Sequence, residues 1–309
     1  MKLSFALAGA LLISLLPTTL ASFWELTGDI LCHDPSIIKE GSRWYTFCTG
    51  DGIQVLTSED GLSWVRAPQI FLSALSWWTK YVPSFTGMSV WAPDVNVFNN
   101  RVYLFYAVST FGSQTSAIGL ATADTIGAGS WSDQGVILTS DSSKDYNAID
   151  PNLIVDQSGQ PWLAFGSFWS GLKITKLDPN TMKPTGSIYS IAAQPDLDGE
   201  IEAPNIVYHD GYYYLFASIG LCCRGTDSTY RIIYTRSKSI TGPYVDANGV
   251  DALDGGGTVL DSGNVRWKGP GGQDISDGVI ARHAYDADDN GTAKLLINDL
   301  NWSNGWPTY

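Results

Sequence analysis

Four acidic residues recur beside prolines along this 309-residue chain: Asp34 in HDPSII, Asp94 in APDVNV, Asp150 in IDPNLI and Glu202 in EAPNIV. Their spacings are 60, 56 and 52 residues, and a weaker fifth start, GPGGQDIS with Asp274, follows 72 residues on. Carboxyl groups gathered in one cleft do not all ionise at their solution pKa, because like charges raise one another. A protonated carboxylic acid next to an ionised one is the pair that glycosidic-bond hydrolysis requires. An Asp beside a Pro also caps turns and strand ends. The spacing therefore means chemistry only if the fold collects these positions. Asp94 follows its proline instead of preceding it and reads as structural.

The elements between these starts repeat as well. Each start is followed by a turn and an apolar-aromatic run (RWYTFCTG, RVYLFYAVS, PWLAFGSF, YYYLFASIG), then in four units by a third strand (GIQVLTSED, SAIGLATAD, GLKITKLDP, RIIYTRSKS). The runs are short, rich in β-branched and aromatic residues, and bounded by Gly, Asn, Asp and Pro. No long stretch carries apolar residues at helical spacing. The pattern predicts an all-β, five-bladed β-propeller, built as one catalytic domain over residues 22–309. In a propeller the first strand of each blade lines the central channel, so Asp34, Asp94, Asp150 and Glu202 are expected around one opening.

Composition narrows the partners. The formal net charge is −13, which disfavours nucleic acid, anionic lipid and polyanionic substrates but not a neutral polymer. The 12 Trp and 15 Tyr suit stacking on sugar rings, although all-β cores also use aromatics. Residues 1–21 read as a secretory signal peptide, with Lys2, an apolar run and Thr19-Leu20-Ala21 as the cleavage site. That run is shorter than the ~20 residues of a membrane helix, so a secreted, extracellular protein without a membrane partner is expected. The four cysteines permit disulfides. Cys32 and Cys48 flank adjacent strands and can pair, which leaves Cys222 and Cys223 as a vicinal bridge or as free thiols. Asn290 and Asn301 begin glycosylation sequons.

The ordered set HDPSII, WAPDV, YNAIDPNLI, FGSFWSGL and GEIEAPNIV resembles the arabinanases of glycoside hydrolase family 43, from about Cys32 to the C-terminal Trp-Pro, and within them the secreted endo-1,5-α-L-arabinanases of the fungal type. The resemblance implies an inverting hydrolase of internal α-1,5-arabinofuranosyl linkages in arabinan. It assigns Asp34 as general base, Glu202 as general acid, and Asp150 as the carboxylate that raises the acid's pKa and orients it. Glu200 is a rival acid on the same strand face, disfavoured by the Glu-Ala-Pro context. Inversion calls for carboxyl groups about 6.5–9.5 Å apart.

Trp91, Phe168 and Trp169, at or just after channel-facing strand starts, are candidate sugar-stacking rings, with blade packing as the alternative. Asn147 and Ser167 are candidate polar sugar contacts. Arg224, in CCRGTDSTY beside the cleft, is a further one. His283 in ARHAYD resembles the single His ligand of a structural calcium ion in the channel. Gln273 stands where many relatives have GPGH. No organic cofactor is expected, and the chain is expected to act as a monomer. Two other readings use the same fold: an exo-acting arabinofuranosidase or β-xylosidase, and a propeller lectin that binds without cutting. Three acidic residues at channel positions favour a hydrolase, and a chain that stops after its fifth unit favours an open groove and endo cutting.

Overall fold

The computed structural model describes residues 23–127 and 129–309, so the expected signal segment lies outside the described residues. Five sheets follow one another along the chain, antiparallel except where Thr27–Gly28 pairs parallel with the outer strand of the first. Blade 1 is Ser36–Glu40, Arg43–Cys48, Gln54–Ser58 and Ser63–Ala67. Blade 2 is Ser89–Phe98, Arg101–Val108, Ser116–Ala123 and Ser132–Ser140. Blade 3 is Asn152–Val155, Pro161–Phe165, Leu172–Leu177 and Pro184–Ala192. Blade 4 is Ile201–His209, Tyr212–Ile219, Arg231–Ser237 and Thr258–Asp261. Blade 5 is Trp267–Ser276, Val279–Asp286 and Thr292–Asp299.

The middle strands are buried on both faces because each blade is sandwiched between two others. All eight residues of Ser116–Ala123 are buried, as are all eight of Val279–Asp286. They therefore read as continuous apolar runs rather than alternating ones. Between blades 1 and 2, Phe47, Ile53, Val95, Leu104 and Tyr106 share one hydrophobic cluster.

The fifth unit differs from expectation. Its sheet has three strands, and the N-terminal segment closes the ring along its outer edge. Trp24 N–H donates to Ile297 O (2.9 Å), and Leu295 N–H donates to Ile30 O (2.8 Å). The Cys32–Cys48 disulfide then ties this segment to blade 1. The last residues instead form a hairpin, Asn301–Ser303 with Trp306–Thr308, that covers blade 4. There Trp302 stacks on His209 (3.8 Å, 7°), and Arg236 lies over Trp306 (3.8 Å).

A belt of hydrogen bonds joins the five inner strands around the channel. Ser36 Oγ accepts Val95 N–H (2.9 Å), Asp94 Oδ2 accepts Leu153 N–H (2.8 Å), and Asn152 Oδ1 accepts Ile206 N–H (2.9 Å). Asn205 Nδ2 donates to Asp274 Oδ1 (2.7 Å), and Asp274 Oδ2 accepts Ile37 N–H (2.7 Å). Each polar side chain thus grips the neighbouring blade.

This belt corrects the register of the repeat. The equivalent positions are Asp34, Ala92, Asp150, Ala203 and Gly272, which all have left-handed φ of 43–55°. In the first four a proline follows; then come the belt residues Ser36, Asp94, Asn152, Asn205 and Asp274. Asp94 and Asp274 therefore stand two residues past the blade start, and Glu202 stands one residue before it.

Candidate active site

The blade starts open into a cleft of about 840 Å³ that holds Asp34, Asp150 and Glu202 together. Two local devices aim these carboxyl groups. A following proline keeps a residue out of the right-handed helical region, and Asp tolerates the left-handed alternative better than most residues. Asp34 (φ 48°) and Asp150 (φ 52°) adopt it. In blade 4 the inner-strand pairing slips between Glu202 and Asn205, a bulge of the kind that re-aims a side chain. Glu202 is thereby turned into the opening. Glu200 is not among the residues that line the cleft.

Asp34 is held by a cage of donors. His33 Nδ1 lies 2.8 Å from its Oδ2, Thr49 Oγ1 donates to the same oxygen (2.7 Å), and His283 Nδ1 lies 3.4 Å from Oδ1. Thr49 in turn accepts Ala92 N–H (2.8 Å). His33 stacks on His283 (3.7 Å), and its Nε2 meets Tyr285 OH (2.8 Å). Burial alone would raise the Asp34 carboxyl. The His33 charge and the hydrogen bonds from both histidines overcome it and hold Asp34 well below the usual carboxylate range.

Glu202 goes the other way. Burial raises it to about 7, and the charge of Asp34 adds to the rise; Ser167 Oγ, donating to Oε2 at 2.6 Å, and the His33 charge pull it back. Asp150 is also raised, first by burial and then by the charges of Glu202 and Asp34. Its Oδ2 accepts Ala203 N–H (3.0 Å), the amide next to Glu202. Asp150 and Glu202 are buried together and each disfavours the other's charge, and Asp150 also holds the backbone beside Glu202 through Ala203 N–H.

Trp91, Phe168, Trp169, Asn147 and Ser167 all line the cleft. Trp169 is 44% exposed, and so has a free ring face to offer. Two of the polar candidates are engaged within the protein. Ser167 gives its hydroxyl proton to Glu202, and Asn147 Oδ1 accepts from Ser116 Oγ (2.7 Å). Gln273 is likewise taken, accepting from Ser218 Oγ (2.9 Å) and donating to Ala203 O (2.7 Å). His283 is fully buried, and its Nε2 has no hydrogen-bond partner among the described residues. Arg224 lines the cleft rim. Asn290 and Asn301 are exposed.

Sequence reasoning missed Thr49, Tyr285 and Phe111. The first two come from strand ends whose role appears only when blades 1 and 5 meet. Phe111, 84% exposed on the cleft wall, sits in Thr110-Phe111-Gly112; an aromatic in a polar turn was the available signal. Both disulfides are formed, Cys32–Cys48 and Cys222–Cys223.

A propeller whose open, aromatic-lined mouth gathers one carboxyl held low and two pushed up has the arrangement of a glycosidase. The glycosyl hydrolases family 43 profile matches residues 28–307, and the chain belongs to that family. It is 56% identical to the extracellular endo-alpha-(1->5)-L-arabinanase 1 of Bacillus subtilis, over 99% of this chain and 96% of that protein. A solved GH43 endo-arabinanase from Bacillus licheniformis superposes with a TM-score of 0.91 at 59% identity, covering 93% of this chain and all of that one. A probable arabinan endo-1,5-alpha-L-arabinosidase A of Emericella nidulans is 37% identical over 93% of each chain. The likeness is therefore stronger to these bacterial proteins than to the fungal type that the motifs first suggested.

Proposed function

We propose that this protein is an extracellular endo-1,5-α-L-arabinanase that cleaves internal α-1,5-arabinofuranosyl linkages of arabinan with inversion. The observation that carries the reading is the split between two carboxyl groups in one cleft: Asp34 held ionised, Glu202 raised to about 7. Asp34 takes a proton from water as that water attacks the anomeric carbon. Glu202 gives its proton to the departing glycosidic oxygen. One turnover leaves Asp34 protonated and Glu202 ionised, and exchange with solvent resets both. Asp150 keeps Glu202 in place through Ala203 N–H. Trp91, Phe168, Trp169 and Phe111 offer ring faces for arabinose units, and a neutral polymer meets no barrier from the acidic surface.

We also propose that His283 ligates a divalent ion, calcium by family resemblance, together with waters. Its buried, unpartnered Nε2 fits that role. In the structure its Nδ1 accepts Asp34 N–H (3.1 Å); ligation through Nε2 would move the ring proton to Nδ1, 3.4 Å from Asp34 Oδ1, the carboxylate support common to ligating histidines. Such an ion would add positive charge that favours ionised Asp34. Gln273 is committed to Ser218 and Ala203 and contributes no ligand.

Reducing-sugar release from debranched linear arabinan, with Glu202→Ala as control, tests the function. Oligosaccharides of mixed length from wild type and none from the control are expected. Single arabinose units alone would mean exo action. Binding without release would mean a lectin.

A further inference from the structure

The vicinal disulfide Cys222–Cys223 lies in the wall of the cleft, and neither the acid–base chemistry nor the fold employs it. Both cysteines line the cavity with Leu221 and Arg224. Cys223 is exposed and Cys222 partly so. The Cys223 Sγ stands 3.9 Å from His33 Nε2, and His33 in turn contacts the base, Asp34. The two sulfurs are thus one side chain away from the group that activates water.

The turn is fixed in place rather than free to swing. Cys223 N–H donates to Tyr285 OH (2.8 Å), and Arg224 N–H donates to Ser228 Oγ (3.0 Å). Gly225 is packed so closely on Gly291 that a Cβ on Gly291 would meet Thr226 N at 2.8 Å. Joining adjacent cysteines closes a small ring through their shared peptide bond. It removes both S–H donors and their rotamer freedom. What remains is a stiff, weakly polar sulfur face, set beside rings that face the same space.

We propose that this disulfide is a substrate-binding plate, taking the C–H face of the arabinofuranose unit next to the scissile bond. A furanose presents hydroxyls at its edges and hydrocarbon on its faces. A rigid surface without hydrogen-bonding groups accepts the face and leaves the hydroxyls to other partners. Two free thiols would present the same atoms with more freedom and would have to be ordered on binding. The inference rests on the arabinan-cleaving function above.

The test is steady-state kinetics on linear arabinan with wild type, Cys222→Ser/Cys223→Ser, and wild type reduced by dithiothreitol. In that step each sulfur gains an electron and a proton while dithiothreitol closes to its own disulfide. Cys32 and Cys48 are buried, so brief treatment with alkylation and mass analysis identifies protein in which only residues 222 and 223 are reduced. The expected result is a KM raised about ten-fold, the scale of losing a small apolar contact. kcat should change far less, because the contact is uniform between ground and transition states. Reductant should add nothing to the double variant. Unchanged KM in the selectively reduced protein or in a folded double variant overturns the proposal, as does a loss confined to kcat. If the double variant does not fold, the selectively reduced wild type decides alone. If untreated wild type fails to cut arabinan at all, the functional reading fails rather than this one.

Discussion

Asp34, partly buried, and Asp94, buried, both stand near the start of a propeller blade, and their surroundings treat them in opposite ways. Asp34, on the left-handed residue that begins blade 1, faces an open cleft and is surrounded by histidines. Asp94, two residues past the corresponding point in blade 2, is surrounded by amides: Leu153 N–H, Asn152 Nδ2 and Asn96 Nδ2. Burial and the nearby Asp274 raise Asp94 to about 7, and its amide donors only partly offset this. The same residue type beside a proline is the proposed general base at one register and inter-blade stitching at the next. What separates them is the partner set, and two residues of register choose it.

The largest effect that would sharpen this contrast is on turnover. Asp34→Asn or Glu202→Gln should lower kcat by about 10³–10⁴-fold. Asp94→Asn should leave kcat within about ten-fold, since it touches no reacting atom. Comparable losses from all three, measured on linear arabinan, would erase the distinction. Stability should order them the other way. Asp94→Ala leaves two buried amide donors without an acceptor and should cost about 2–4 kcal/mol in urea unfolding, whereas Glu202→Gln should cost little.

Smaller effects follow from protonation. Glu202 must keep its proton to act as acid, so kcat should fall as pH rises through about 7. The acid limb should lie below the ordinary carboxylate range, because Asp34 stays ionised there. Ser167 hydrogen-bonds the ionised form of Glu202 and so lowers its pKa. Ser167→Ala should therefore move the alkaline limb upward, by up to about one pH unit. Asp94 has a folded pKa of about 7 against 3.8 unfolded. Its favourable contribution is complete below about 4 and is lost as pH rises towards 7. The melting temperature of Asp94→Asn should accordingly fall less over that window than that of wild type.

The blade count and the three mouth carboxyls were readable because prolines punctuate every unit and acids stand next to them. The register was not. A bulge displaces Glu202 from the blade start, and Ala92 and Gly272 occupy equivalent positions with no polar side chain to betray them. Ring closure by residues 24–31 was hidden because those contacts join opposite ends of the chain. Thr49, Tyr285 and Ser167 act through the carboxyls and histidines they touch, and contacts between blades leave no local pattern in the sequence.

The central claim, that ionised Asp34 and protonated Glu202 bracket one arabinofuranosyl linkage, is tested most directly by proton NMR of the first sugar released from linear arabinan. The account predicts a reducing end that appears first in the β configuration and then mutarotates. Initial release of the α-anomer would contradict it.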